Sequence, residues 1–134
     1  MPAKDFFDTN VLIYAVAKND ARASKAEALL ASGGIVSIQS LNEFVSVARR
    51  KLSMSWKEVR AFLDIIYILC PKPVPISLDT QKAALAIAER YGYSIYDALL
   101  ASAALEAACK TLYSEDLQDG QIINRQLTIR NPFR

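Results

Sequence analysis

Four acidic residues lie where the sequence predicts the ends of strands or the starts of helices. Asp8 follows a short apolar run typical of a buried strand, and Asp116 lies just beyond another predicted strand. Asp97 precedes an Ala/Leu-rich helix, and Glu43 falls in the first turn of a helix that follows the second strand. Because ligands of open α/β sheets bind beyond the carboxyl ends of the strands, one sheet edge would gather all four.

The chemistry that such a cluster supports is metal-assisted hydrolysis. Carboxylates packed together raise one another's pKa values unless cations neutralise them, and hard oxygen ligands favour Mg²⁺ or Mn²⁺. Metal ions lower the pKa of bound water and stabilise the departing oxygen of a phosphodiester, with two ions about 4 Å apart in many nucleases. The chain contains no histidine, which excludes Ser-His-Asp catalysis, histidine acid–base pairs and His-ligated zinc.

Each acid also has a purely structural interpretation. Asp8 precedes an apolar helix and has the residue type of an N-cap. Ser94 and Asp97 have the spacing of a capping box, in which the carboxylate serves only the helix terminus. Glu43 lies off the apolar stripe of its helix, as a solvated surface acid would, and Asp116 falls in a loop where acids usually form turns. Taken singly, none of the four establishes a catalytic site.

The elements that must position these acids alternate along the chain. Strands are predicted up to residue 8 and over residues 35–38, 74–76, 111–113, 121–124 and 127–130. Helices are predicted over residues 11–18, 20–32, 41–52, 56–70, 80–91 and 98–110, with caps at Ser40, Ser55 and Asp79. The segment 74–76 contains proline and fits only a sheet edge or a strand start. Crossovers of this length return to a parallel neighbour, so the pattern predicts a three-layer α/β fold.

Composition limits the class of protein. At 134 residues, with 52% hydrophobic and 22% charged, the chain fits one globular domain spanning 1–134. Its apolar runs fall short of the ~20 residues of a bilayer span and no secretory leader is evident, so we expect a cytoplasmic protein with no membrane partner. Cys70 and Cys109 lack metal-like spacing and are predicted to be buried thiols.

The distribution of charge is more informative than its sum. The net charge is +2, from 16 Lys and Arg against 14 Asp and Glu. If four acids share one pocket, the surrounding surface carries about +6, which would suit a polyanion. Arg49, Arg50 and Lys51, at the end of the Glu43 helix, are candidates for substrate contacts. A favourable interaction of these cations with the helix dipole explains their position equally well.

Four segments together resemble the PIN-domain family, and more narrowly the VapC-type toxin ribonucleases of prokaryotic toxin-antitoxin pairs. They are Phe-Asp-Thr-Asn at 7–10, Leu-Asn-Glu-Phe at 41–44, Tyr-Asp-Ala at 96–98 and Thr-Leu-Tyr-Ser-Glu-Asp-Leu-Gln-Asp-Gly at 111–120. The resemblance spans nearly the whole chain and implies an α/β/α domain with a central, mainly parallel sheet. It also implies Mg²⁺ or Mn²⁺ dependence, hydrolysis of RNA to a 5′ phosphate and a 3′ hydroxyl, a homodimer, and inhibition by a cognate antitoxin.

The resemblance assigns roles to the four acids. Asp8 and Asp97 would be direct metal ligands that also orient the nucleophilic water. Glu43 would be a ligand or a water-mediated partner, and Asp116 would support a second metal ion. Catalysis and metal binding would therefore depend on the same four carboxylates.

Neighbouring polar residues fit supporting roles. Thr9, Asn10 and Ser114 would orient the carboxylates or bound water by hydrogen bonds. In relatives the last loop often carries another Asp or Asn two residues after the fourth acid, where this chain has Gln118. Asp119 either compensates for that difference or is only a turn residue before a glycine.

The sequence favours a metal-dependent endoribonuclease that is the toxin of a toxin-antitoxin pair. A housekeeping RNA-processing or DNA-cutting nuclease of the same fold is the main alternative, and a non-catalytic binding module is another. An aspartyl-phosphate phosphotransferase is disfavoured, because it requires a second Asp two residues after the nucleophile and Asn10 stands there. No RNA-recognition motif is evident, so cleavage specificity would depend on RNA shape.

Overall fold

The computed structural model describes residues 5–17 and 19–134. Within these residues the elements are, in order, β1 (Asp5–Phe7), α1 (Thr9–Val16), α2 (Ala23–Ala31), α3 (Ile38–Arg50), α4 (Trp56–Leu69), α5 (Leu78–Tyr91), α6 (Ile95–Glu106), β2 (Thr111–Tyr113), β3 (Ile122–Ile123) and β4 (Leu127–Arg130). None of these helices is long and apolar enough to cross a membrane.

The strands form one sheet in the order β1-β2-β4-β3. β1, β2 and β4 run parallel, with Phe6 opposite Leu112, and β3 is antiparallel to β4. Beyond β1, isolated parallel bridges join Phe6 to Ile35 and Ser37 to Val74. The predicted mainly parallel sheet is therefore confirmed, and the carboxyl ends of β1 and β2 lie side by side.

Helices cover both faces of the sheet. Phe6 and Phe7 are both fully buried, and because neighbouring strand side chains point to opposite faces they enter different cores. Phe6 packs with residues of α5 and α6, and Phe7 packs with residues of α1, α2, α3 and α4. The three-layer α/β/α arrangement predicted from the sequence is confirmed.

α6 and the two cysteines are buried as predicted. Residues 98–104 of α6 are buried without interruption, as expected of a helix that is apolar nearly all round. Cys70 and Cys109 are free thiols inside the protein, and burial raises the pKa of each to about 11. At neutral pH they are therefore protonated and chemically quiet.

The predicted strand over 35–38 and its helix cap are wrong in detail. The Ser37 side chain accepts the backbone N–H of Ser40 at 3.0 Å, so Ser37, and not Ser40, is the N-cap and α3 begins at Ile38. Ser37 has the extended backbone that an N-cap requires. The strand is reduced to single bridges, and Glu43 lies in the second turn of α3 instead of the first.

Several other boundaries also differ from prediction. α1 begins at residue 9, directly after Asp8, and its predicted end at Lys18 lies outside the described residues. α5 is capped by a reciprocal pair of hydrogen bonds between Ser77 and Thr80, and Asp79 merely lies in its first turn. α6 spans 95–106 instead of 98–110, and α2 spans 23–31 instead of 20–32. In the 74–76 segment only residue 74 pairs with a neighbour. The Ser55 capping box of α4 is confirmed.

Candidate active site

Asp8 serves both as a helix cap and as a member of the acidic site. Its Oδ1 accepts the backbone N–H of Thr9 at 2.6 Å, which caps α1. Its Oδ2 accepts the Ser114 hydroxyl at 2.7 Å and the Asn10 amide at 3.3 Å. Burial raises the pKa of Asp8 to about 6 against the hydrogen bonds from Ser114 and Thr9, and the charges of Asp116 and Glu43 raise it further.

Ser114 and Asn10 connect Asp8 to Asp116 across the ends of β1 and β2. The fully buried Ser114 donates to Asp8 and accepts the backbone N–H groups of Asp116 at 3.2 Å and Leu117 at 3.4 Å. The Asn10 Nδ2 that donates to Asp8 also donates to Asp116 Oδ2 at 3.4 Å. Both residues therefore contact the Asp8 carboxylate, and their role in supporting a metal site stays a prediction.

Glu43 reaches the site from α3. Its Oε2 accepts the Thr9 hydroxyl at 3.3 Å, and its Oε1 accepts the side-chain amide of Gln39, one turn earlier, at 3.0 Å. Glu43 is exposed, as its position off the apolar stripe predicted. It is nevertheless tied to the Asp8 turn through Thr9.

Asp97 approaches from the start of α6. The Ser94 hydroxyl accepts the backbone N–H of Asp97 at 3.2 Å and caps the helix. Burial raises the pKa of Asp97 against the Ser94 hydrogen bond, and the charges of Asp116 and Glu43 raise it as well. The charges of Asp116 and Glu43 therefore act on both Asp8 and Asp97.

Three of the four acids line a small cavity. Its volume is about 50 Å³, and its walls are Asp8, Ser37, Gln39, Ser40, Glu43, Ile76, Tyr96, Asp97 and Leu100. Asp116 does not line it and lies at its side, linked to Asp8 through Asn10. Of the residues that the sequence analysis did not single out for the site, Gln39 has no distinguishing pattern, whereas Tyr96 directly precedes Asp97.

The acids have no cationic partner in the described part of the chain. The ion pairs found there join arginines to Asp20, Glu115 and Asp119. Within the same residues, no group of three or more acidic or thiol side chains is arranged to hold one ion. The donors still fit Mg²⁺ or Mn²⁺, because Mg²⁺ keeps several waters and binds one or two carboxylates plus substrate phosphates. The buried Oδ1 of Asn10, beside Asp8, has no hydrogen-bond partner among the described residues.

Asp119 has a structural role in the loop after β2. Its Oδ1 accepts the backbone N–H of Asn131 at 2.8 Å, and its Oδ2 lies 3.6 Å from Arg134. Both carboxylate oxygens therefore bind the C-terminal segment. This arrangement favours the second of the two interpretations left open by the sequence.

The basic residues at the end of α3 are only partly free. The Arg49 guanidinium donates to the Met54 carbonyl at 2.9 Å and lies 4.6 Å from the centre of the Trp56 ring. Arg50 donates to Ser46 at 3.1 Å, and Lys51 is exposed. Arg50 lies seven residues after Glu43, about 10 Å along the same helix face. A role for these residues in binding substrate stays a prediction.

A network missed by the sequence analysis adjoins Asp116. Arg22 donates to both carboxylate oxygens of Glu115 at 3.0 Å and to the Tyr14 hydroxyl at 2.7 Å, and Tyr14 donates to Glu115. Burial, and then the hydrogen bond to Glu115, raise the pKa of Tyr14 to about 12, so the phenol remains a donor. The partners are far apart in sequence, and no local spacing signals their contact.

Comparisons with known proteins identify the family and the fold. The sequence model of the family described as PIN domain matches residues 6–118. No curated protein sequence gives a match.

Solved structures share the fold over most of the chain. A toxin-antitoxin complex from Klebsiella pneumoniae has a TM-score of 0.73 at 18% identity, covering 97% of this chain and 98% of that one. VapBC2 from Rickettsia felis, bound to a DNA fragment from its promoter, has a TM-score of 0.66 at 21% identity. The match covers 95% of this chain and 97% of that one. Mycobacterium tuberculosis VapC20, a sarcin-ricin loop cleaving toxin, has a TM-score of 0.62 at 20% identity. The match covers 83% of this chain and 88% of that one. At these identities the likeness establishes the fold.

Proposed function

Because the chain belongs to the PIN domain family, we propose that it is a divalent-metal-dependent endoribonuclease and the toxin of a toxin-antitoxin pair. The observation that carries the proposal is that Asp8, Glu43 and Asp97 line one cavity and Asp116 is linked to Asp8 through Asn10, without a cationic partner for these acids among the described residues. Like charges held this close favour a bound cation or a bound proton. Burial, with a smaller contribution from Asp116 and Glu43, raises the pKa of Asp8 and so favours its protonated form when no cation is bound.

The proposed chemistry divides the work among the acids. Asp8 and Asp97, which line the cavity, would bind the ion and orient the attacking water. Glu43 would contribute a ligand directly or through water, and Asp116 would support a second ion from beside the cavity. When bound, Mg²⁺ or Mn²⁺ supplies a Lewis acid that activates water at neutral pH and offsets the charge of the phosphodiester. Hydrolysis would leave a 5′ phosphate and a 3′ hydroxyl.

Three polar residues would keep these carboxylates in place. Thr9 holds Glu43, Ser114 holds Asp8, and Asn10 contacts both Asp8 and Asp116. Hydrogen bonds of this kind restrict the orientation of a ligand and commonly affect metal affinity by 10- to 100-fold. Thr9, Asn10 and Ser114 therefore position ligands without reacting themselves.

The proposed antitoxin partner is supported by an apolar groove bordered by α1, α2 and α4. The groove has a volume of about 380 Å³, and Phe62, Ile65 and Leu69 lie in its wall. Ile65 is 54% exposed and the neighbouring Ile68 is 78% exposed. An amphipathic segment of a partner would cover such a surface. The complexes from Klebsiella and Rickettsia are consistent with such a partner.

We further propose a homodimer that acts on RNA in the cytoplasm. Ile38, Leu78 and Tyr96 are exposed apolar side chains. Tyr96 lines the cavity, and Ile38 and Leu78 are close in sequence to the wall residues Ser37 and Ile76. Self-association would cover all three. Light scattering of the purified protein tests the dimer. Arg50 and Lys51 would contribute to binding the RNA backbone beside the site.

The central test is cleavage of a structured RNA by purified protein with Mn²⁺. Asp8→Asn and Asp97→Asn should each abolish cleavage, because each removes a proposed ligand. Asp64→Asn, the same change at an exposed acid on α4 outside the cluster, should leave cleavage intact. Chelation of the metal should stop the wild-type reaction.

The alternatives predict different results in the same assays. Full activity in both Asp8→Asn and Asp97→Asn would refute the assignment. Preferential cleavage of single-stranded DNA would favour a DNA-cutting nuclease. Calorimetry that detects no Mn²⁺ binding at neutral pH would favour a binding module that retains the fold.

A further inference from the structure

Arg22 anchors the residue that directly precedes Asp116. Its Nη1 donates to Glu115 Oε1 and Oε2, both at 3.0 Å, and to the Tyr14 hydroxyl at 2.7 Å. Its guanidinium lies 3.7 Å from the centre of the Tyr14 ring. Tyr14 donates to the same Glu115 carboxylate. The side chain of Glu115 is therefore held by α1 and by the segment between α1 and α2.

Asp20 fixes the Arg22 guanidinium in turn. Arg22 Nε donates to Asp20 Oδ1 at 2.9 Å and Nη2 donates to Asp20 Oδ2 at 2.8 Å. Because Nε, Nη1 and Nη2 all donate to protein groups, few guanidinium N–H groups remain to bind a substrate phosphate. Although Arg22 is a cation close to the acidic site, its contacts indicate a positioning role.

The backbone that carries Asp116 is restrained from two sides. On one side Ser114 is bonded to Asp8 and accepts the N–H groups of Asp116 and Leu117. On the other side the Glu115 carboxylate is held by Tyr14 and Arg22. Among residues 5–17 and 19–134, the Asp116 side chain has one long hydrogen bond, from Asn10 at 3.4 Å, so its placement depends mainly on these backbone restraints.

We propose that Arg22 and Tyr14 are positioning residues that act through Glu115 to hold the Asp116 carboxylate beside Asp8 for metal binding. This inference rests on the proposed nuclease function. A carboxylate that moves out of place contributes less to binding an ion, and the loss of a supporting partner typically costs 10- to 100-fold in metal affinity or activity. The network thus links the α1–α2 junction to the acidic site.

The test is the Mn²⁺ affinity of the full-length protein, measured by calorimetry, for Glu115→Gln and Arg22→Lys. Both changes are mild: the first keeps a hydrogen-bonding side chain of the same size, and the second keeps the positive charge. We expect the dissociation constant for Mn²⁺ to rise about tenfold or more in each. RNA cleavage at limiting Mn²⁺ should fall by a similar factor and recover at high Mn²⁺.

A matched control separates positioning from a general effect on the fold. Arg90 lies 5.3 Å from the centre of the Tyr91 ring at the end of α5, so Arg90→Lys makes the same change at another Arg–Tyr contact. It should leave the Mn²⁺ affinity within about twofold of wild type. Combining Glu115→Gln with Asp116→Asn should cause little loss of Mn²⁺ affinity beyond Asp116→Asn alone, because the first residue acts through the second.

The outcomes distinguish this inference from the proposed function. Wild-type Mn²⁺ affinity in both Glu115→Gln and Arg22→Lys, or an equal loss in Arg90→Lys, would overturn the positioning role and leave the nuclease proposal standing. Full additivity with Asp116→Asn would overturn it as well. A wild-type protein that neither binds Mn²⁺ nor cleaves RNA would overturn both.

Discussion

Replacing Asp8 by Asn should stabilise the metal-free protein at neutral pH. The folded protein raises the pKa of Asp8 from 3.8 to about 6, chiefly by burial. The group therefore stabilises the fold below its unfolded pKa, near pH 4, and this stability is lost as the pH rises through about 6. Asn is a neutral side chain of nearly the same shape and does not incur this loss.

The magnitude follows from the shift in pKa. A change from 3.8 to about 6 corresponds to about 3 kcal/mol of stability lost on ionisation above pH 7. Asn would weaken the hydrogen bonds with Ser114 and Asn10, at a cost of about 1 kcal/mol. The net gain in the free energy of unfolding is about 2 kcal/mol, or about 7 °C in Tm for a chain of 134 residues.

The assay is urea unfolding followed by circular dichroism between pH 4 and pH 8, with EDTA present. The advantage of Asp8→Asn should be largest at pH 8, shrink through pH 6, and reverse slightly near pH 4, where wild-type Asp8 is also neutral. Adding Mn²⁺ should stabilise the wild type only, by about 3 kcal/mol at one hundred times its dissociation constant.

Asp20→Asn is a control that should change the free energy of unfolding in the opposite direction. Hydrogen bonds from Arg22 lower the pKa of Asp20 to about 2, so its contribution to stability is present above the unfolded pKa and lost as the pH falls through 2. Asp20→Asn should therefore destabilise the protein at neutral pH. If Asp8→Asn were less stable than wild type at pH 8, or if its advantage did not depend on pH, the burial argument would be refuted.

Two further predictions concern residues that shape the site and the sheet. Ser114→Ala removes a buried hydroxyl that joins Asp8 to the loop of Asp116. We expect the free energy of unfolding, measured with urea, to fall by about 1–3 kcal/mol and Mn²⁺ binding to weaken. Unchanged values of both would contradict the proposed support of Asp8. Gly34→Ala would place a Cβ 2.5 Å from the Phe7 ring and 2.8 Å from the Asp5 carbonyl, so soluble yield and Tm should fall well below those of Gly120→Ala. In Gly120→Ala the Cβ meets nothing within 4 Å, and the cost is confined to the positive φ of +86° that glycine adopts there. Equal Tm values for the two glycine variants would argue against the close contact at Phe7.

The sequence predicted those features that depend on local pattern. The alternation of apolar strands and amphipathic helices indicated the three-layer fold, and the Ser55 capping box was confirmed. The all-round apolar character of residues 98–104 indicated burial of α6. The cap predicted at Ser40 was wrong, because the start of α3 depends on where the chain leaves the bridge to Val74, and this makes Ser37 the N-cap.

Composition and motif order also indicated the acidic site by themselves. The lack of histidine excluded Ser-His-Asp catalysis, histidine acid–base pairs and His-ligated zinc, and the predicted strand ends placed Asp8 and Asp116 at a common sheet edge. The interpretation of Asp8 as a helix cap is confirmed, and it does not exclude the proposed site role, because one carboxylate oxygen caps α1 and the other accepts the Ser114 hydroxyl.

Only the tertiary structure decided how these groups are held. The contact of Arg22 with Glu115 joins residues 93 positions apart in sequence, and no local spacing signals a contact between such distant residues. The raised pKa of Asp8 likewise depends on burial beneath distant elements and on Glu43 and Asp116. Sequence thus determined which groups are present and at which element ends, because propensity and periodicity are local, whereas packing determined their partners, charge states and geometry.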